Sequence, residues 1–158
     1  MGSINLSGKS LSDEGCLRHL ENQFCEFAIP PEKICFEITE TEAIANLTKA
    51  AHFISRLKDI GCRFALDDFG SGFSSYAYLR NLPVDYLKID GMFVKGIASD
   101  PVNYAMVESI NHIGHVMGRK TIAEFVEDQF TIQVLQDLGV DYLQGFALAK
   151  PYPLADID

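Results

Sequence analysis

Apolar residues along the chain follow two different spacings in turn, which predicts strands alternating with helices. In Ile34–Thr39 every second residue is large and apolar, the period of a half-buried strand. After Asn46 the apolar residues recur at helical spacing until Gly61, a residue type that commonly ends helices. The six predicted strands are Ile4–Ser7, Ile34–Thr39, Arg63–Asp68, Tyr86–Asp90, Thr121–Val126 and Tyr142–Leu148.

Capping residues and helix breakers delimit five predicted helices. Ser12 caps the first helix, and Pro30-Pro31 breaks the chain after it. Asp100 caps a long helix whose first turn contains Pro101. The first predicted helix begins after Ser12 and the second after Asn46. The third spans residues 74–80. The fourth runs from Pro101 to Met117 and is closed by Gly118, and the fifth spans residues 128–138 and is closed by Gly139.

The alternation of six strands with five helices predicts an α/β fold with a parallel sheet and right-handed crossovers. A doubly wound open sheet and a closed barrel both satisfy this order. An open sheet binds its ligand at one switch point, whereas a barrel gathers residues from the ends of many strands. The positions of the polar residues decide between the two folds.

A polar residue stands near the carboxyl end of each predicted strand, on the face opposite the apolar set. For any one of them a solvated strand end is an equally good explanation, but that explanation does not suit the whole set. In a closed barrel such residues converge at the catalytic face, so their distribution favours a (β/α)8 TIM-type barrel. The set comprises Asn5, Glu37, Asp67, Lys88, Glu124 and Gln144.

The acidic members of this set and their neighbours have the chemistry of a divalent-metal site. Glu37, Asp67 and Asp68 offer hard carboxylate oxygens and Asn5 a neutral oxygen, the ligands that suit Mg²⁺ or Mn²⁺. Adjacent Asp67 and Asp68 repel each other unless a cation lies between them. A bridging carboxylate of this kind is typical of two-metal hydrolases that act on phosphodiesters.

Two further residues of the set have predicted roles in proton transfer and charge balance. Lys88 is expected to hold the attacking water or to balance charge in the transition state. Glu124 is expected to be a general base or a ligand of a second metal.

The loop after Asp68 contains Gly70, Ser71 and Gly72, so its backbone is able to approach a ligand or a metal closely. Glu40 is expected to anchor this loop through a carboxylate–hydroxyl or carboxylate–amide bond. A glycine–serine loop is by itself weak evidence, because most such loops are plain turns.

The net charge of the chain limits the classes of molecule that it is expected to bind. The 158-residue chain carries a formal charge of −9 and has no cluster of Lys and Arg, which argues against a nucleic-acid polymer or a membrane surface as partner. No apolar run approaches the about 18 residues of a membrane span. A small phosphorylated ligand is compatible with this charge, because a bound divalent cation inverts the local field.

Several other polar and aromatic residues are given plainer explanations. Cys16, Cys25, Cys35 and Cys62 lack CxxC spacing and are predicted to be buried, reduced thiols of a cytoplasmic protein. The helical pair His112 and His115, the aromatic residues Phe73, Tyr76 and Tyr78, and the helix-start acids Glu127 and Asp128 are predicted to be structural.

In order and spacing, the motifs of the chain resemble those of the EAL domain family. They are Asn5-Leu6-Ser7, Phe36-Glu37-Ile38-Thr39-Glu40, residues 67–75, Leu87-Lys88-Ile89-Asp90, Ala123-Glu124 with Glu127, and Gln144-Gly145 with Lys150-Pro151. The resemblance implies a modified (β/α)8 barrel that linearises cyclic di-GMP to pGpG with Mg²⁺ or Mn²⁺.

The same resemblance assigns roles residue by residue. It implies metal ligation by Asn5, Glu37, Asp67 and Asp68, with Asp68 also among the catalytic residues. It implies that Lys88 and Glu124 act at the second metal and the nucleophilic water, that Glu40 holds the loop, and that Gln144 lies beside the catalytic centre.

Two departures from the family pattern shape the expected activity. The chain has no Glu-Ala-Leu tripeptide and six predicted strands where a full barrel has eight, so residues 1–158 are expected to be a partial EAL domain that alone is weakly active or inactive. Phe125 stands where the family usually has glycine, and strand alternation predicts that it packs outwards, away from the site.

Other functions remain open at this level. A non-catalytic cyclic-di-GMP receptor is the main alternative, and a scaffold without ligand is a third. Unpaired edges of an incomplete barrel favour a homodimer, and the parent protein is expected to carry an upstream sensor or GGDEF-type domain.

Overall fold

A computed structural model describes residues 1–71 and 76–151 of the chain. The chain forms two compact units, Met1–Lys88 and Ile89–Asp158, and the boundary between them falls inside the fourth strand. Among the described residues, no helix combines the length and apolar character needed to span a membrane.

The first unit contains the first three strands and most of the fourth. β1 pairs with β2 and β2 with β3, all in parallel, as predicted for a βα architecture. At the amino end of β4, the backbone N–H of Asp85 donates to the carbonyl of Phe64 on β3 (2.8 Å). The strands are β1 (Gly2–Asn5), β2 (Ile34–Thr39), β3 (Arg63–Phe69) and β4 (Tyr86–Ile89).

The helices of the first unit are α1 (Gly8–Leu11), α2 (Glu14–Glu26), α3 (Glu40–Ala45) and α4 (Leu47–Asp59), with 3-10 turns at Pro31–Lys33 and Tyr78–Asn81. Asn46 caps α4 and Gly61 follows it with φ +111°, as predicted. The predicted cap Ser12 is wrong, because the carboxylate of Asp13 accepts the backbone N–H groups of Gly15 and Cys16. The short α1 and α3 were not predicted, since each lacks a full turn of periodic apolar residues.

The core of the first unit is aromatic. Phe36 and Phe64 are fully buried on adjacent strands with ring centroids 5.4 Å apart, and Phe24 of α2 meets Phe36 edge-to-face. The apolar faces of β2 and β3 therefore pack under α2 and α4, and the opposite face is left to the polar residues at the strand ends.

The second unit contains α5 (Gly91–Val94), α6 (Pro101–Val116), β5 (Lys120–Ala123), α7 (Gln129–Asp137) and β6 (Tyr142–Leu143), with β5 and β6 parallel. Asp100 and Asp128 cap α6 and α7. The short α5, capped by Asp90, was not predicted.

The last two strands are shorter than predicted. β5 ends at Ala123 rather than Val126, because Phe125 has φ +51° and leaves the extended conformation. β6 ends at Leu143 rather than Leu148. Two residues further on, Gly145 lies so close to the Val126 backbone that a Cβ on Gly145 would clash with it. The predicted helix over residues 74–80 is a 3-10 turn at its described end, and residues 72–75 lie outside the described part of the chain.

Candidate active site

Lys88 lies between two carboxylates in the first unit. Its Nζ is 2.8 Å from Glu37 Oε2 and 3.0 Å from Asp67 Oδ1. Only 3% of the Lys88 side chain is exposed, against 13% for Glu37 and 16% for Asp67. A buried ammonium is stable only with such partners, so the three side chains form one interdependent charged group.

Strand register places Asn5 on the same side of the sheet as this group. Asn5 of β1 is the direct neighbour of Glu37 of β2, and side chains in register on parallel strands point to the same face. The backbone N–H of Leu6 donates to the carbonyl of Glu37 (2.8 Å), which extends the pairing beyond β1. Asn5 itself is exposed and adds a neutral oxygen to the edge of the site.

Asp68 follows Asp67 in a strained backbone conformation, with φ +54°. Its backbone N–H donates to Asp67 Oδ1 (3.1 Å), and its carbonyl accepts the Ser71 hydroxyl (2.8 Å). The turn leaves the Asp68 residue exposed while the Asp67 side chain is largely buried. Strain of this kind costs about 1–3 kcal/mol and is common at functional sites.

The loop after Asp68 is tied down by Glu40, which is buried in the first turn of α3. Its Oε2 accepts the backbone N–H of Gly70 (3.0 Å), the carboxylate–amide bond predicted from the sequence. Its Oε1 accepts a hydrogen bond from the hydroxyl of Tyr78. The sequence predicts only packing for this tyrosine. The predicted loop residue Gly72 lies outside the described residues.

The donor set of the first unit fits a hard divalent cation. Glu37 and Asp67 contact the Lys88 ammonium and the adjacent Asp68 adds a third carboxylate, so these four side chains together carry net negative charge. The donors at this site are carboxylate and amide oxygens, which suit Mg²⁺ or Mn²⁺ rather than a thiolate-binding metal.

Glu124 and Gln144 meet at a pocket of the second unit. Glu124 is buried directly after β5, and its backbone N–H donates to the carbonyl of Ile89 (3.3 Å). The backbone N–H of Gln144 donates to the carbonyl of Ala123 (2.8 Å), which places Gln144 beside Glu124. The pocket has a volume of about 260 Å³ and is lined by Lys95, Glu124, Phe125, Glu127, Gln144, Gly145 and Phe146.

Phe125 does not pack outwards as predicted. It lines the same pocket as Glu124, and 54% of it is exposed. Its positive φ breaks the period-two alternation on which the prediction rested. Lys95 Nζ lies 4.8 Å from the Phe125 ring centroid and 3.8 Å from Glu127 Oε1. The sequence reasoning missed Lys95, although it closely follows the carboxyl end of β4 and so occupies a βα loop.

The residues predicted to be structural have mixed outcomes. Asp128 caps α7 by accepting from Thr131, and the Tyr76 ring lies 6.0 Å from that of Phe69. His115 is exposed, and its Nε2 lies 2.7 Å from Asp141 Oδ2. All four cysteines are free thiols, but only Cys35 and Cys62 are buried, while Cys16 is half-buried and Cys25 is exposed. Burial of all four was therefore wrong.

Comparison with curated proteins identifies close relatives. Cyclic di-GMP phosphodiesterase PdeB of Shewanella oneidensis is 53% identical over 97% of the chain, which covers 18% of PdeB. Cyclic di-GMP phosphodiesterase PdeF of Escherichia coli is 36% identical over 98% of the chain, which covers 21% of PdeF. The chain thus spans about a fifth of the length of these relatives.

Solved structures confirm the fold class. The PaMucR phosphodiesterase in complex with c-di-GMP is 32% identical, with a TM-score of 0.91 over 97% of this chain and 62% of that one. The FimX EAL domain from Pseudomonas aeruginosa bound to c-di-GMP is 29% identical, with a TM-score of 0.92 over 99% of this chain and 64% of that one. These likenesses confirm the predicted incomplete TIM-type barrel over the open sheet. The sequence pattern of the family described as "EAL domain" matches residues 1–151, so the chain belongs to the EAL domain family.

Proposed function

We propose that the protein containing this chain is a metal-dependent phosphodiesterase that hydrolyses cyclic di-GMP to linear pGpG. The observation that carries the proposal is the buried Lys88 held between Glu37 and Asp67 beside the exposed Asp68. Relatives named as cyclic di-GMP phosphodiesterases and neighbours solved with c-di-GMP supply the substrate class.

The first unit would hold the cation. Mg²⁺ or Mn²⁺ would be held by the oxygens of Asn5, Glu37, Asp67 and Asp68. When bound, such a cation supplies Lewis-acid stabilisation of the charge that develops on the phosphodiester. Lys88 orients Glu37 and Asp67 through its contacts with Glu37 Oε2 and Asp67 Oδ1.

Glu124 and Gln144 would complete the chemistry from the second unit. Glu124 is the proposed general base, which accepts the proton of the attacking water at its carboxylate. The Gln144 amide orients that water or a phosphate oxygen. Convergence of these two residues with the acids of the first unit stays a prediction from the strand-end rule.

Glu40 would control the loop that follows Asp68. By holding the Gly70 backbone and the Tyr78 hydroxyl, it limits the positions that Asp68 and Ser71 adopt next to the cation. A sensor or GGDEF-type partner domain, homodimerisation and a cytoplasmic location stay predictions from the sequence.

Binding and hydrolysis measured on the same preparation test this proposal. With Mn²⁺, we expect the 158-residue chain to bind cyclic di-GMP in calorimetry and to form pGpG slowly in anion-exchange chromatography. Glu124→Gln should keep binding and lower the rate at least about 100-fold, because a general base contributes about 10²–10⁴-fold. Glu26→Gln, on the exposed end of α2, is the matched control and should change neither quantity.

Each alternative gives a different result. Binding without pGpG formation in the full-length parent protein favours the receptor function, because this partial domain is expected to be weak or inactive in either case. Absence of binding contradicts both ligand-based functions and leaves the scaffold.

A further inference from the structure

Glu42, in the first turn of α3, joins two loops of the first unit. Its Oε1 accepts the backbone N–H of Gly8, the first residue of α1, at 2.7 Å. Its Oε2 accepts the hydroxyl of Thr39 at 3.0 Å. Because Gly8 and Glu42 are 34 residues apart in the chain, this contact ties the loop that leaves β1 to the helix that leaves β2.

A helix-capping role explains only part of this arrangement. Thr39 and Glu42 have the spacing of a capping box, in which the glutamate side chain normally returns to the backbone N–H of its own N-cap residue. The Thr39 hydroxyl does accept the backbone N–H of Glu42 (3.3 Å). The Oε1 atom, however, is turned to Gly8, a residue outside the helix. One of the two carboxylate oxygens therefore serves the loop after β1.

The shape of the chain at Gly8 matches the glutamate side chain. A Cβ on Gly8 would lie 3.2 Å from Glu42 Cγ, closer than an ordinary van der Waals contact. Glycine at position 8 thus leaves room for the side chain to lie against the loop backbone. Thr39 holds the same carboxylate from the other side, which limits its freedom to turn away from Gly8.

The loop held by Glu42 begins directly after Asn5, a predicted cation ligand at the end of β1. The backbone N–H of Leu6 donates to the carbonyl of Glu37 (2.8 Å). The backbone that follows Asn5 is therefore fixed at Leu6 and again at Gly8. Because the Asn5 side chain is exposed, this fixed backbone is what reduces the number of orientations that it has to lose when a cation binds.

The first turn of α3 also carries Glu40, which holds the loop after Asp68 through Gly70. Residues two apart on an α-helix point about 200° apart around its axis, in nearly opposite directions. Glu40 and Glu42 therefore reach the loops of β3 and β1, the two strands that flank β2 in the sheet. One helical turn thus holds the loops on both sides of the strand that carries Glu37.

We propose that Glu42 is a positioning residue that sets Asn5 for cation binding through the loop after β1. The inference rests on the proposed function and adds to its cation site a residue that is not itself a ligand. Both carboxylate oxygens of Glu42 are engaged, one by Gly8 and one by Thr39. Glu42 acts through the Gly8 backbone, so its effect on the cation depends on Asn5.

Calorimetric titration of the 158-residue chain with Mn²⁺ tests the inference without turnover. Glu42→Ala should weaken Mn²⁺ binding about 10-fold, the low end of what residues that orient metal ligands contribute. Glu42→Gln keeps an oxygen for the Gly8 N–H and should bind Mn²⁺ like the unsubstituted chain. Ser10→Ala is the matched control, because it removes a hydroxyl contact with Ser7 inside α1 and leaves the bond between Glu42 and Gly8. It should not change the affinity.

A double-mutant cycle separates positioning of Asn5 from a general loss of structure. If Glu42 acts through Asn5, Glu42→Ala should weaken Mn²⁺ binding no further in a chain that already carries Asn5→Ala. The same fold-change in both backgrounds overturns the inference. Equal effects of Glu42→Ala and Glu42→Gln also overturn it, because the charge and not the bond to Gly8 would then be responsible.

Hydrogen exchange gives a measurement that needs no metal. In EDTA, residues 6–11 should exchange faster in Glu42→Ala than in Glu42→Gln or the unsubstituted chain, because the Gly8 N–H loses its acceptor. Residues 63–69 of β3 should exchange at the same rate in all three, which shows that each variant is folded. Unchanged exchange over residues 6–11 overturns the inference and leaves the phosphodiesterase proposal intact. Absence of Mn²⁺ binding by the unsubstituted chain contradicts the cation site on which both proposals depend.

Discussion

The two units of the molecule hold the amino ends of their strands in the same way. In the first unit, Asp85 stands just before β4 and accepts from three donors. They are Lys58 Nζ in the last turn of α4 (2.7 Å), the backbone N–H of Phe64 (2.9 Å) and Arg63 at the start of β3 (3.3 Å). One carboxylate thus ties a helix end to two adjacent strands.

In the second unit, Asp141 stands just before β6 with corresponding partners. It accepts from Lys120 Nζ at the start of β5 (2.6 Å) and from the backbone N–H of Thr121 (2.9 Å). The Oδ2 atom that accepts the Thr121 N–H also lies 2.7 Å from Nε2 of His115, in the last turn of α6. The sequence Val-Asp-Tyr-Leu occurs at both places, at residues 84–87 and 140–143.

The comparison separates charges that stabilise the fold from charges that serve a site. At the amino ends each aspartate is matched by basic side chains and a backbone N–H, an arrangement that is complete without a ligand. At the carboxyl ends of the first unit, Glu37 and Asp67 both contact Lys88, and the adjacent Asp68 adds a third carboxylate. That excess of negative charge lowers stability unless a cation joins it, which is why the polar residues there are assigned to function.

The largest effect expected from this difference is that of Lys88→Met. Without the ammonium, Glu37 and Asp67 are left unpaired in a largely buried place, and the free energy of unfolding should fall by about 3 kcal/mol. Mn²⁺ should restore part of the loss, because it binds the folded carboxylates and not the unfolded chain. Urea denaturation with EDTA and with Mn²⁺ measures both quantities.

Lys58→Met is the matched control for Lys88→Met at the amino end. Lys58 is more exposed than Lys88, and Asp85 keeps its contacts with Arg63 and Phe64. We expect a loss of at most about 1 kcal/mol and no response to Mn²⁺. Equal losses in the two variants, or no metal response from Lys88→Met, would contradict the distinction between the two ends.

Much of the first unit could be predicted from the sequence because its strands are regular. The predicted bounds of β2, Ile34–Thr39, are the observed ones. The period-two alternation, the large apolar residues and the preceding prolines all indicate the same strand. The same alternation placed Glu37, Asp67 and Lys88 on one face, where the structure brings them into contact. Side-chain direction in a regular strand follows from position alone.

The second unit was predicted less well because its strands are short and bounded by unusual backbone. β5 stops at Ala123, so alternation said nothing valid about Phe125. A positive φ at a non-glycine residue depends on tertiary contacts, here those of Glu124 and Val126 with neighbouring backbone. The repeated Val-Asp-Tyr-Leu was present in the sequence as a signal for the two aspartate clusters and was missed.

A smaller effect is expected from Asp141→Asn. Partial burial opposes ionisation of Asp141, but hydrogen bonds from Lys120, Thr121 and His115 outweigh it and hold the pKa well below its usual value of 3.8. Because the folded pKa is depressed, the stabilisation is fully present above about pH 4 and is lost as the pH falls towards the folded pKa. Asp141→Asn should therefore cost about 2 kcal/mol near neutral pH and progressively less below about pH 4.

Urea denaturation across about pH 7 to about pH 3 checks this prediction, with Asp85→Asn as the matched variant of the first unit. If the two clusters are equivalent, both variants should lose similar stability near neutral pH. A loss in one unit without a comparable loss in the other would break the comparison between them.

The smallest effect is chemical rather than energetic, and it concerns Cys35, a thiol influenced by charges at both strand ends. Burial, followed by repulsion from Glu37 and then Asp85, raises its pKa to about 12. A buried, protonated thiol is a poor nucleophile, so iodoacetamide should label the exposed Cys25 first and leave Cys35 unlabelled in the folded chain. Peptide mass spectrometry measures the order, with labelling of all four cysteines in urea as the control. Repulsion from Glu37 raises the Cys35 pKa more than repulsion from Asp85 does, so Glu37→Gln should lower that pKa more than Asp85→Asn. The reverse order would mean that Asp85, at the amino ends of the strands, acts more strongly on the Cys35 thiol than Glu37 at the carboxyl ends.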